Sequence, residues 1–272
     1  MVRDYHPVSL QDALAILAQE AVTPYAGGTD LMIAPDENAH YLFLDRIAEM
    51  KNITADSEYN RIGAACTFTQ ILESGFTPAL LKEAVRQIAA PAIRNLGTVG
   101  GNICNGSPKA DSALIFCVTD SKLRLASARG ERIIPISEFY LGRKKTALLP
   151  DELLVEIIME KVGLDHYYYK KVGARNALAI ARVSFAALFE LENGRITAFR
   201  TAFGAISDVI IRRQDIDGLM YGKTLEEARA IREDYMKAYD SAINPIKGRV
   251  SAEYRKTVCI NLLRDFLESC GI

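Results

Sequence analysis

Residues 25–32, YAGGTDLM, set two adjacent glycines and a Thr-Asp pair directly behind the apolar-leaning run Ala21-Val22-Thr23-Pro24-Tyr25. A second stretch, AIRNLGTVGGNICNGSPKAD at 92–111, holds glycines at 97, 100, 101 and 106, with Thr98, Asn102, Asn105 and Ser107 between them. Glycine lets backbone amides approach an anion and adopt positive φ, while hydroxyl and amide side chains add donors. Two such stretches in one chain suit a ligand carrying two phosphates. Asp111, shortly after the second, suits a ribose hydroxyl, as acids do in dinucleotide sites. For GGTD a plain turn and an anion cradle both stay open; in TVGGN the donors clustered around glycines favour the cradle. Neither stretch is the G-x-G-x-x-G of a Rossmann fold or the G-x-x-x-x-G-K-[ST] of a nucleotide-hydrolysing loop, because no Lys-Ser/Thr follows either cluster.

Little else in the chain has the spacing of a reactive centre. His6, His40 and His166 are isolated from one another and read as structural or solvated. The cysteines, Cys66, Cys104, Cys117, Cys259 and Cys270, are odd in number and form no CxxC pair. That argues against a disulfide framework, a zinc site or an iron–sulfur cluster held by this chain alone. Arg94 and Asn95 read as braces of the second glycine stretch more readily than as ligand contacts. The run Tyr167-Tyr168-Tyr169 reads as packing, since alternation along a strand puts the middle ring on the opposite face from its neighbours.

The elements that must position the glycine stretches are legible in outline. Ser9 with Asp12 starts an amphipathic helix over 9–19. YLFLDRI at 41–47 reads as a buried strand, and RIGAAC leads into Thr67 and Gln70, a second capping-box candidate. A helix is expected over 78–90 behind Pro78, ended by Pro91, and ADSALIFCVTD reads as another. KLRLASARGERIIPI reads as a hairpin turning at 128–131, followed by the strand LLVEIIMEKV. From Tyr167 strands dominate, with a hairpin turn at Asn193-Gly194, and the remainder to Ile272 is mostly helical. A boundary falls near 163–166.

Composition bounds the rest. The 272 residues carry 33 Lys+Arg against 34 Asp+Glu, and 49% are hydrophobic, enough to bury a sizeable core. With no basic excess, nucleic acid is not an expected partner. The polar N-terminus lacks the apolar core of a secretion signal and no run approaches membrane-spanning length, so a cytoplasmic protein is expected.

AGGTDLM, IRNLGTVGGNICNGSPKAD, YKKVGARNALAIARVS and NPIKGRVSAEYRK, in this order over nearly the full length, resemble the FAD-binding medium subunit of molybdenum hydroxylases. That is the family of xanthine dehydrogenase, carbon monoxide dehydrogenase and 4-hydroxybenzoyl-CoA reductase. The resemblance implies an α+β chain: a two-subdomain FAD-binding fold of the vanillyl-alcohol-oxidase type at 1–55 and 56–165, then a C-terminal α+β domain at 166–272. It implies a pyrophosphate wrapped by Ala26, Gly27, Gly28, Thr29, Asp30 and Leu31, with Ile33 near the flavin, and by Thr98, Gly100, Gly101 and Asn102. Asp111 matches the acid on the adenosine ribose. Lys171 matches a lysine near the flavin, with Lys170 as the alternative one position away.

The implied role is electron transfer without a catalytic side chain, in which FAD takes electrons from iron–sulfur centres and passes them to NAD+ or another acceptor. The partners implied are a small iron–sulfur subunit and a large molybdopterin subunit, and the type is that of xanthine dehydrogenase. Gly248 departs from the family's usual acid before the Arg of GRVSAEYRK. The absence of a four-Cys insertion speaks against the 4-hydroxybenzoyl-CoA reductase branch. A stand-alone flavin oxidoreductase and a non-redox module for a phosphorylated ligand are the alternatives.

Overall fold

The computed structural model of the chain describes residues 3–175 and 178–272, so Asn176 and Ala177 of the third motif lie outside the described residues. The chain forms two units. The first comprises the chain up to Thr77, Ile88–Gly106 and Asp120–Glu160; the second comprises Pro78–Gln87, Ser107–Thr119 and Lys161–Ile272.

The first unit carries a parallel three-stranded sheet in the order Asp4–Tyr5, Tyr41–Phe43, Thr23–Tyr25. Between its first and third strands runs the helix Leu10–Gln19. Ser9 caps this helix by accepting from the Asp12 amide at 3.1 Å, and Ala13 and Leu17 are its buried residues. The expected strand at 41–47 stops at Phe43, because Ile47 N–H turns back to the Leu44 carbonyl at 3.3 Å. A second, antiparallel sheet runs Ile53–Ala55, Tyr59–Gly63, Leu153–Glu160, Lys122–Ser127, Gly130–Pro135. Leu153–Glu160 lies at its centre, with most of its residues buried, while Glu156 pairs with Arg61 and Arg124 of the neighbouring strands.

The helix Phe68–Glu73 opens on the expected capping box, with Thr67 and Gln70 exchanging bonds of 3.2 and 2.8 Å. Three local expectations need correction. The helix behind Pro78 spans Ala79–Arg86 rather than 78–90, and Ala89 turns to φ 44° beyond it. Pro91, with no N–H to lose, begins a new helix, Pro91–Arg94, instead of merely ending the old one. The hairpin turn narrows to Ala128-Arg129, since Gly130 already pairs with Ser127.

The second unit is an antiparallel sheet in the order Tyr167–Val172, Val183–Glu192, Arg195–Gly204, Ile211–Arg212. Asn193 and Gly194 join the long pair at φ 51° and 75°, the left-handed pair that a two-residue turn requires. One face of the sheet packs Phe185, Phe199 and Phe203 against Tyr235 and Phe266 of the helices Arg232–Ala242 and Ala252–Ser269. Helices Ala79–Arg86 and Asp111–Val118 also pack on the sheet, and every residue of the latter is buried. Tyr168 packs between Phe185 and Phe266, and Tyr169 is buried near Asp111 and Glu83. The strand therefore presents its tyrosines to different surroundings by alternation.

Candidate functional site

The first unit holds a cavity of about 650 Å³, within the range of small-molecule sites. Ala26, Gly27, Gly28, Thr29, Asp30, Leu31 and Ile33 line it, as do Thr98, Gly100, Gly101 and Asn102. Leu44, Met50, Phe68, Leu153 and Leu154 supply apolar wall. Both glycine stretches thus meet at one place. The first leaves the C-terminal end of the parallel strand Thr23–Tyr25, where ligands of parallel sheets bind.

The first stretch is a loop held open by its own backbone. Gly28 sits at φ 68°, and a Cβ on Gly27 would fall 1.9 Å from the Leu96 carbonyl oxygen. A side chain at Gly27 meets backbone, and one at Gly28 meets the Tyr25 ring in a left-handed conformation, so both are strained. Met32 N–H donates to the Gly28 carbonyl at 2.8 Å and Ile33 N–H to that of Asp30 at 3.2 Å. The amides of Gly27, Gly28, Thr29 and Leu31 meet no acceptor among the described residues. A run of unmet amides at the wall of a cavity is an anion-binding arrangement.

The second stretch works differently from the expectation. Instead of a loop offering amides, it forms the helix Val99–Cys104, with Thr98 as its cap. Its amides are all engaged: Val99 to the Cys66 carbonyl at 3.0 Å, Gly100 to that of Ala64 at 2.8 Å, Gly101 to Thr98 Oγ1 at 3.1 Å and Asn102 to the Thr98 carbonyl at 3.0 Å. Positive φ is found here only at Gly106. Gly100 is small because a Cβ would lie 2.6 Å from Ala64. Gly101 is exposed, and its missing side chain leaves the helix surface open at the cavity. Asn95 and Arg94 brace the approach to this helix: Thr69 Oγ1 donates to Asn95 Oδ1 at 2.6 Å, and Arg94 donates to the carbonyls of Ile88 and Ala89 at 2.8 and 2.9 Å.

Sequence reasoning missed Lys144 and gave Asn105 no role of its own. Both line the cavity. Lys144 Nζ donates to Asn105 Oδ1 at 2.7 Å, and Asn105 Nδ2 donates to Asp30 Oδ2 at 2.8 Å. No motif points to Lys144, which lies far along the chain; only its backbone, at φ 59°, marks it out. Cys104 also lines the cavity, and burial pushes its thiol up to about 12, so it stands there as a neutral group.

Asp111 and Lys171 belong to the second unit, where they pair with each other. Lys171 Nζ donates to Asp111 Oδ2 at 2.6 Å and to the Gln87 carbonyl at 2.8 Å. Both side chains are 7% exposed. Burial pushes the Asp111 carboxyl up, and the Lys171 ammonium opposes that. Asp111 Oδ1 is buried and has no hydrogen-bond partner among the described residues. Lys170, one position along the strand, is exposed.

The histidines are apart from one another. His6 stacks on Phe43 with ring centroids 4.5 Å apart, and His40 Nδ1 accepts from the Arg3 amide at 2.8 Å. Among the described residues no group of three or more His, Cys, Asp or Glu is placed to hold a metal ion, and no helix is long and apolar enough to cross a membrane.

Comparison with known proteins extends over the whole chain. The family described as "FAD binding domain in molybdopterin dehydrogenase" matches residues 1–159, and "CO dehydrogenase flavoprotein C-terminal domain" matches residues 167–270. The xanthine dehydrogenase FAD-binding subunit of Escherichia coli O157:H7 is 39% identical over 226 residues, covering 77% of this chain and 76% of that one. The glyceraldehyde dehydrogenase medium chain of Sulfolobus acidocaldarius is 30% identical over 264 residues, covering 92% and 91%. Among solved structures, a chain of the Cu,Mo-CO dehydrogenase superposes with a TM-score of 0.88 at 25% identity, covering 98% of this chain and 96% of that one.

Proposed function

Because this chain belongs to the FAD-binding medium subunits of molybdenum hydroxylases, we propose that it is the electron-transfer subunit of an enzyme of xanthine dehydrogenase type. It binds FAD, and the cavity fits that group. The observation that carries the fit is the row of unmet amides from Gly27 to Leu31, set at the end of a parallel strand, where added Cβ atoms would collide. These amides cradle the pyrophosphate. Gly101, with no side chain, would leave room for the cofactor at the Val99–Cys104 helix, and Thr98 and Asn102 line the same wall. Ile33, 77% exposed, supplies apolar surface for the flavin. In the second unit, Lys171 orients the buried Asp111 carboxylate, whose Oδ1 has no partner among the described residues.

Bound FAD would supply the chemistry, the transfer of electrons from iron–sulfur centres to NAD+ or another acceptor. The chain's own residues bind, orient and shield. The iron–sulfur clusters and molybdopterin belong to a small and a large partner subunit, and the complex works in the cytoplasm. Xanthine dehydrogenase type is favoured by the 39% identity to the Escherichia coli subunit, against 28% to the carbon monoxide dehydrogenase medium chain of Afipia carboxidovorans.

The purified chain is expected to be yellow, or to take up added FAD with a rise in melting temperature that ATP, NAD+ and sugar phosphates do not give. The isolated chain is expected not to turn over hypoxanthine or xanthine, and co-expression with its small and large partners to restore turnover. A chain that neither carries nor binds FAD sinks the proposal; turnover by the chain alone marks a stand-alone oxidoreductase.

A further inference from the structure

Lys144 stands out once the cavity's charges are counted. Among the described residues that line it, Asp30 is the one anion and Lys144 the one cation. They do not touch; Asn105 lies between them, accepting from Lys144 at 2.7 Å and donating to Asp30 at 2.8 Å. The amide's two ends match the two charges, so the three side chains form a directional relay that neither a hydrocarbon nor a second charge at 105 would reproduce.

The backbone beneath is built to hold this relay. Lys144 occupies φ 59°, a left-handed conformation that is strained for a residue with a side chain. Gly106 faces it at φ 63°, and a Cβ there would lie 3.0 Å from Lys144 Cα. Lys144 N–H donates to the Gly106 carbonyl at 2.9 Å. Glycine would meet the backbone demand at 144 without strain, yet the position carries a lysine whose ammonium reaches the cavity. The relay's far end is the first glycine loop. That loop is fixed on one side by the contact of Gly27 with Leu96, and Asp30 is fixed on the other by Asn105.

We propose that Lys144 is a positioning residue of the FAD site. Through Asn105 and Asp30 it straps the first glycine loop to the end of the Val99–Cys104 helix, and so sets the rate at which bound cofactor escapes. The inference rests on the cavity's being the FAD site. The strap acts on the loop and not on the phosphates, so it predicts coupling between residues 144 and 105 that direct phosphate binding by Lys144 does not.

The test measures FAD release from the full-length chain, as the growth of free-flavin fluorescence after dilution, alongside the melting temperature of the FAD-free chain. Lys144→Met and Asn105→Leu are each expected to speed release about tenfold, and the double variant no further. Lys144→Gly, which relieves the backbone strain, is expected to raise the melting temperature of the FAD-free chain or leave it unchanged while still speeding release. Lys144→Arg, which can still donate to Asn105, is expected to restore most of the retention. Unchanged release in Lys144→Met overturns the strap, as do multiplying effects in the double variant. If the wild-type chain binds no FAD at all, it is the assignment of the cavity that fails.

Discussion

Lys171 Nζ lies 2.6 Å from Asp111 Oδ2, with both side chains 7% exposed, and the carboxylate's other oxygen has no partner among the described residues. Two charges are thus withdrawn from water, and one acceptor is kept unused. Removing one partner of a buried pair leaves an uncompensated charge, which costs about 3–5 kcal/mol, whereas removing both costs far less. Lys171→Met is therefore expected to lower unfolding stability in urea by about that much, and Asp111→Asn combined with Lys171→Met to recover most of it. A double variant as unstable as Lys171→Met would show that the pair is not an electrostatic unit.

The glycine loop makes a graded prediction. Ala at Gly27 places a Cβ 1.9 Å from the Leu96 carbonyl oxygen, while Ala at Gly75 meets nothing within 4 Å. Gly27→Ala and Gly28→Val are expected to cut FAD affinity at least tenfold, a loss of about 1.4 kcal/mol of binding. Gly75→Ala is expected to bind FAD normally. Titration of the FAD-free chains with FAD, followed by quenching of flavin fluorescence, ranks them.

Acid sensitivity has a local source in the first unit. Arg132 donates to both oxygens of Glu152, at 2.7 and 2.8 Å, and the Leu149 amide adds a third bond at 2.9 Å. These hold the Glu152 carboxyl below the usual glutamate range, the Arg132 bond contributing most. A depressed carboxyl stabilises the fold above its unfolded-state value, and that contribution fades as pH falls through the lowered, folded-state one. Melting temperature should drop as pH is lowered below about 4.5, and Glu152→Gln should be less stable near neutrality with a shallower acid decline. An identical acid decline in wild type and variant would refute the assignment.

Burial also silences the cysteines. Cys66 is pushed up to about 11, and Cys104, Cys259 and Cys270 to about 12. Because only the thiolate attacks, iodoacetamide at pH 8 should label these four slowly in the folded chain and rapidly in urea. Fast labelling of Cys104 without denaturant would mean that the cavity wall opens.

The sequence by itself determined the local signals: the Ser9 and Thr67 caps, the Asn193-Gly194 turn, and the two glycine stretches that line one cavity. Each rests on interactions within a few residues, or on the conformational freedom only glycine has, so each is written in adjacent letters. The tertiary structure decided what those glycines do. Gly27 is small because Leu96 lies against it and Gly100 because Ala64 does, and the amides of 99–102 are spent on Cys66, Ala64 and Thr98. Thr98 is a local cap, but Leu96, Ala64 and Cys66 come from distant parts of the chain, and periodicity carries no record of them. The choice of Lys171 over Lys170 to face Asp111 hangs on strand alternation and on where one helix starts. Lys144 was invisible for the same reason: its partners stand at 105 and 30, and only folding brings a cation, an amide and a carboxylate within hydrogen-bond reach.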